Sequence, residues 1–283
     1  MTRAPAAAYA GAPMPRRPRL VELAPHVLVR TSDVYMTTTT VVAAGSRCLL
    51  IDPALLPGEL AALEEELAEL GLAVEAAVST HPHWDHVLWS AGLGDAPRFA
   101  SARAIETLER RRGPMVDDQI MEASRRWYAS WDMSLAGRLT AAPAGGLLPW
   151  SGPAAQLVVH DGHAPGHAAV HLPELGVLAA GDMLSDVEIP GLDWDEPDAL
   201  RAYQDGLEAL GELAGVRLVI PGHGRPGDSA AWRDRLQADR HYLEALAAGD
   251  PVVDPRLDGW PPMRQQHHAN LEAIQRRPRS VRD

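Results

Sequence analysis

The chain has 283 residues, 46% hydrophobic and 23% charged, proportions of a soluble globular protein that exclude a disordered chain or a coiled coil. Twenty-six basic against 38 acidic residues leave a net charge of −12, a field that repels polyanions and argues against nucleic acid as a partner. Every basic residue is Arg, so no side-chain amine exists for a Schiff base, and the single Cys48, inside the apolar run CLLID, reads as a buried structural thiol.

Residues 1–20 carry prolines 5, 13, 15 and 18 and no continuous apolar stretch, which predicts a mobile arm and no secretory signal. No run reaches the length of a membrane span. The expectation is a cytoplasmic protein with a small-molecule substrate and no membrane or nucleic-acid partner. Its oligomeric state stays open, a homodimer being one arrangement.

A single domain is expected over residues 21–250. Residues 27–30, 36–44 and 47–51 are β-branched and apolar around Gly45 and Ser46, which reads as strands with a hairpin. Asp52-Pro53 ends the third of them. Residues 58–71 repeat Leu at helical spacing above an acidic face, an amphipathic helix. Residues 74–79 form another apolar strand, and its carboxyl end opens into STHPHWDHVLW, where open α/β sheets place their ligands. A short strand at 99–101 and a helix at 102–112 follow.

Residues 115–150 read as an inserted helix and loop, a lid over the site. The helix, 116–139, carries Trp127, Tyr128, Trp131 and Met133. Such aromatics pack a core or wall a pocket, which makes Trp127 and Trp131 candidate substrate contacts. Strands are expected at 157–160, 168–172 and 177–180, a helix within 192–214, a strand at 217–220 and a last clear helix at 228–248. Residues 251–283 read as an extended tail with room for one short helix.

Within six residues the stretch at 79–89 offers His81, His83, Asp85 and His86, each with a lone pair for a hard or borderline cation. Alternate residues of an extended segment point the same way. His81 and His83 therefore share one ion, while Asp85 and His86, past the bend, turn toward a second. Further candidates stand in three later loops: His163 and His167 in DGHAPGH, Asp182 after Gly181, and His223 in PGHG.

The motif H-x-H-x-D-H, followed in order by His-Ala-Pro-Gly, Gly-Asp and Pro-Gly-His-Gly, resembles the signature of the metallo-β-lactamase superfamily over roughly residues 25–245. The resemblance implies an α/β (α+β) fold, a four-layer αββα sandwich of two mixed sheets with helices on the outer faces. Element order alone does not separate that layout from other α/β arrangements. It also implies a ligand set of His81, His83 and His163 for one cation, Asp85, His86 and His223 for the other, and Asp182 for both. The ions would be zinc, with manganese or iron as further candidates. His163 is preferred to His167 because the family's Pro-Gly turn follows it, leaving 19 residues of spacing to Asp182 rather than 15. His167 is then a supporting donor or a pocket residue, and His160 and His171 are packed on flanking strands.

The chemistry implied is hydrolysis of an activated acyl compound (lactone, thioester or ester) by a bridging hydroxide formed at neutral pH, with Asp85 as the catalytic residue that orients the water. Family β-lactamases with a cysteine ligand match less well, since Asp182 stands in that place. Glyoxalase-II-like thioesterases share all seven ligands, but their glutathione-binding terminal pattern is not found here. The acidic loop MLSDVEIPGLDWDE makes Asp186 and Glu188 candidates for the pocket, an exposed acidic loop being the commoner reading. Two rival readings are a single-iron dioxygenase of the same fold using His81, His163 and Asp182, and a non-catalytic binding module.

Overall fold

The structure, a computed structural model, describes residues 19–53, 55–111, 132, 134–193 and 195–276. Its first sheet runs β1 (Val21–Ala24), β2 (Val27–Thr31), β3 (Thr38–Ala44), β4 (Arg47–Ile51), β5 (Ala73–Val78), β6 (Arg98–Ala100) and β7 (Thr140–Ala141) in sequence order. Pairing is antiparallel from β1 to β4 and parallel from β4 to β7. The second sheet has the order β12 (Gly227–Asp228), β11 (Leu218–Pro221), β10 (Val177–Gly181), β9 (Ala168–Leu172) and β8 (Gln156–Val159). Only its β10–β11 pair is parallel.

The near-continuous apolar runs of the central strands have a plain cause: both faces of each sheet are covered. Along β4, Leu49 and Ile51 join Val42, Val170, Leu172 and Ile220 between the sheets. The alternate residues Cys48 and Leu50 face Leu60, Leu63 and Leu67 of α1 (Pro57–Glu69), as the period of two requires. On the far side Leu178 and Val219 pack under Tyr203, Leu207 and Leu210 of α3 (Ala199–Gly211) and Trp232, Leu236 and Leu243 of α4 (Ser229–Ala248). A further helix, α2 (Ala102–Arg111), follows β6. The layers are therefore α, β, β, α, the sandwich that the resemblance implied. Among the described residues no helix is long and apolar enough to cross a membrane.

At one end the sheets are stitched together. Thr38 N–H donates to Gly222 O at 2.7 Å, and Ala168 N–H to Thr80 O at 2.8 Å. The strand expected from residue 36 begins at Thr38, because Tyr35 and Met36 turn through positive φ (56° and 52°). The chain beyond Asp250 departs more from expectation. Instead of an extended run it forms α5 (Arg256–Gly259) and the 16-residue α6 (Pro261–Arg276). Prolines 261 and 262 stand in the first turn of α6, where a missing N–H is no loss, and buried Met263 and Asn270 dock the helix.

The anchor of this terminal segment is ionic. Arg256, 7% exposed, meets Asp239, 1% exposed, at 2.6 Å, and also holds Asp254 at 2.7 Å. Breaking a buried pair by removing one partner costs about 3–5 kcal/mol, whereas an exposed pair such as Arg201–Asp205 contributes about 0–1 kcal/mol. The buried pair decides the docking.

Burial pushes the Cys48 thiol up to about 12, and it has no exposed surface. Since only the thiolate reacts, a disulfide exchange reagent at pH 8 is expected to titrate no thiol in the native chain and one per chain in denaturant. Fast native labelling would show that the α1 layer opens.

Candidate metal centre

β5 ends at Val78 and the chain bends through residues 80–83, His83 capping the short 3-10 turn Trp84–His86. The turn reverses the direction in which Asp85 and His86 project relative to His81 and His83. His81 Nε2 lies 3.0 Å from His83 Nδ1 and 3.3 Å from Asp182 Oδ2. His163 Nε2 closes the group at 3.1 Å from His83 Nδ1 and 3.4 Å from Asp182 Oδ2. Four donors bound tetrahedrally at about 2.0–2.1 Å from one zinc ion stand about 3.3–3.4 Å apart, so these edges enclose a hole of ionic size.

A second group shares the same carboxylate. His86 Nε2 is 3.2 Å from Asp182 Oδ1, 3.6 Å from Asp85 Oδ2 and 3.4 Å from His223 Nε2. His223 Nε2 is 3.3 Å from both Asp85 Oδ2 and Asp182 Oδ2. Asp182 Oδ1 is buried and accepts no hydrogen bond among the described residues. Both groups could hold a metal ion, as could Asp182, Glu188 and His223 together. Buried lone pairs that converge without donors fit cations and would otherwise be an uncompensated cost.

Second contacts fix which nitrogen faces inward. Asp52, 3% exposed, accepts Thr80 N–H at 2.8 Å on Oδ1 and the Thr80 hydroxyl at 2.7 Å on Oδ2. That hydroxyl, its proton committed to Asp52, accepts from His81 Nδ1 at 3.0 Å. Asp52 Oδ2 also faces His86 Nδ1 at 3.0 Å, and His223 Nδ1 donates to Tyr35 O at 2.9 Å. For His81 and His223 these contacts leave Nε2 as the inward lone pair, whereas His86 Nδ1 faces Asp52 without a hydrogen bond among the described residues. Asp52 and His163 adopt positive φ (47° and 65°), backbone strain of the kind that persists where surrounding contacts hold it. A Cβ at residue 222 would sit 2.0 Å from Asp182 Oδ1, so only glycine lets the β11 loop pass the carboxylate.

Electrostatics follow from burial and crowding. Burial, then the neighbouring His86, holds His81 well below the usual imidazole range, and burial with His163 pushes His83 down to about 4. For His86 burial alone would lower the pKa, but Asp182, Asp85 and Asp52 outweigh it and raise it well above. Asp182 is held well below the carboxylate range, the pull of His223, His86 and His81 exceeding the effect of burial. Burial raises the Glu188 carboxyl, with Asp182 adding and His223 opposing.

The structure brings His81, His83, Asp85, His86, His163, Asp182 and His223 into one cluster. His167 stands behind it: its Nε2 accepts the Asp182 N–H at 3.1 Å, and its ring stacks 5.1 Å from His81 and 4.7 Å from His160. It supports Asp182 from the backbone side. Asp186 is turned to Arg225, accepting its N–H at 2.7 Å and its guanidinium at 3.1 Å. Trp127 and Trp131, with most of the expected helix 116–139, lie outside the described residues. Sequence reasoning read Asp52 only as a strand end. Its signal was an acid closing the strand beside the one that delivers the histidine loop.

A family model described as the metallo-beta-lactamase superfamily matches residues 32–236. Among curated relatives, a hydroxyacylglutathione hydrolase of Cupriavidus taiwanensis is 32% identical over 226 residues, covering 71% of this chain and 76% of its own. Another of that name from Ruegeria pomeroyi is 26% identical over 232 residues, covering 81% and 77%. Among solved structures, a metallo-beta-lactamase family protein from Thermus thermophilus has a TM-score of 0.63 at 25% identity, covering 89% of this chain and 93% of its own. A beta-lactamase domain protein from Burkholderia ambifaria has a TM-score of 0.65 at 19% identity, covering 93% and 88%, a likeness of fold alone. Seven clustered donors inside the matched span, on the shared sandwich, lead to one conclusion: this chain belongs to the metallo-beta-lactamase superfamily and is a hydrolase.

Proposed function

We propose that this hydrolase uses two divalent cations, zinc first among them, to cleave an activated acyl compound, a thioester ahead of a lactone or simple ester. The observation that carries this is the pair of donor groups closing on one shared carboxylate, Asp182. His81, His83 and His163 would hold one ion, Asp85, His86 and His223 the other. The thioester comes first because two curated relatives are hydroxyacylglutathione hydrolases, and an acylglutathione is a thioester.

When bound, such cations polarise the acyl carbonyl and make water a nucleophile at neutral pH. The chain's own residues do the rest. His81 and His86, with no exposed surface, form the dry floor. His83 and His163 are partly exposed and mark the side from which substrate arrives. Asp85 stands at the rim of the same cluster, 8% exposed, where its carboxylate accepts a hydrogen bond from the attacking water and aims it. Water adds to the carbonyl carbon, the carbon–sulfur bond breaks, and the proton released leaves with the thiol. No protein nucleophile is required, and the one thiol, Cys48, is sealed beneath α1.

Elemental analysis joined to a panel of thioester, lactone, ester and phosphodiester substrates tests the reading. The expected result is about two divalent ions per chain and thioester turnover that chelation abolishes and zinc restores. One iron per chain without zinc or manganese, or no turnover of any ester, thioester or lactone in a metal-replete sample, overturns it. His83→Ala is expected to cut activity by roughly 100-fold or more and to lose metal while the circular dichroism spectrum stays native. Full metal content with retained turnover would remove His83 from the site. Asp52→Ala releases the Thr80 hydroxyl that meets His81 and removes the carboxylate facing His86, so metal affinity measured against a chelator should fall about 10- to 100-fold. An unchanged affinity would reduce Asp52 to a turn residue.

A further inference from the structure

Residues 185–190 follow Asp182 and form the rim beside His223, and they are braced from many sides. Ser185 Oγ donates to His223 O at 2.7 Å and accepts the Val187 and Glu188 N–H groups at 3.1 and 3.0 Å. Arg256 Nη1 donates to Ser185 O at 3.2 Å and to Glu188 O at 2.8 Å. The Ile189 N–H meets Met263 Sδ at 3.3 Å, and Asn270 Nδ2 donates to Pro190 O at 2.8 Å. Arg256, Met263 and Asn270 all lie beyond residue 236, where the family match ends. A merely solvated acidic turn needs no such frame.

What the frame aims is the Glu188 side chain. One of its carboxylate oxygens lies within 4.8 Å of the donor atoms of Asp182 and His223. Among the described residues that carboxylate makes no hydrogen bond and no ion pair. Donors on opposite sides of one cation, at bond lengths of about 2.0–2.4 Å, stand about 4.0–4.8 Å apart. Glu188 is therefore close enough to share a cation with Asp182 and His223.

Resting on the two-cation reading above, we propose that Glu188 is a further oxygen donor to the cation on the Asp182 and His223 side of the centre. The two halves of the centre then differ in chemistry. One offers three imidazoles and the shared Asp182, a set suited to zinc. The other offers three carboxylates and two imidazoles, an oxygen-rich set of higher coordination that suits a harder ion such as manganese. Arg256, Met263 and Asn270 are positioning residues for it.

Glu188→Gln keeps the size of a partly exposed side chain and removes its charge. Metal-free protein is titrated with zinc and manganese together, and bound ions are counted by elemental analysis and by the manganese electron paramagnetic resonance signal. The wild-type chain is expected to hold one zinc and to take manganese at the second position. The variant should keep the zinc and bind manganese about tenfold more weakly or worse. Manganese affinity within about twofold of wild type, with two ions still bound by both chains, overturns Glu188 alone. A wild-type chain that takes up a single ion overturns the two-cation reading and the Glu188 assignment with it.

Discussion

The Asp182 carboxylate is the point on which both halves of the centre depend. Its Oδ2 faces His81, His163 and His223, and its Oδ1 faces His86. Four imidazoles from three stretches of chain meet one acid, so a shift of about half an ångström in that acid spoils both groups at once. The fold answers this by fixing its backbone. The Asp182 N–H is held by His167, and Gly222 lies against its carboxylate too closely for any side chain.

That arrangement explains why the two sheets are tied at this end. Asp182 and His223 come from the second sheet, His81, His83, Asp85 and His86 from the first. Thr38–Gly222 and Ala168–Thr80 are backbone bonds between the sheets within two residues of site residues. The sheet-to-sheet core supplies the general cohesion. These few polar bonds supply the register that a cluster of seven donors needs.

Much of this was legible in the residues. Spacing of two in an extended segment put His81 and His83 on one side, and the bend after His83 turned Asp85 and His86 away, because side-chain direction follows local geometry. Strands 47–51 and 168–172 were readable because burial on both faces leaves them apolar apart from Arg47 and His171. Asp52 was not, since its role depends on a neighbour 28 residues away, Thr80, and on a left-handed backbone turn. His167 was left between two roles, and only the three-dimensional stacking shows its Nε2 occupied by the Asp182 N–H. The tail was read as extended with room for one short helix, and the 16-residue helix was not foreseen, because Pro-rich sequence reads as extended, whereas prolines in a first helical turn cost nothing and the docking force is a buried ion pair between residues 17 apart.

The same contrast separates chemistry from selectivity. All seven clustered donors lie inside residues 32–236, the span shared with the superfamily, and under the two-cation proposal their spacing would suit any carbonyl. Discrimination among acyl compounds must come from what stands around them. In this chain that includes a rim, residues 185–190, clamped by helices outside the shared span through Arg256, Met263 and Asn270. On that rim Arg225 and Arg235 are already paired with Asp186, so neither is an uncommitted cation. The buried Arg256 does not serve as one, because Asp239 and Asp254 already neutralise it.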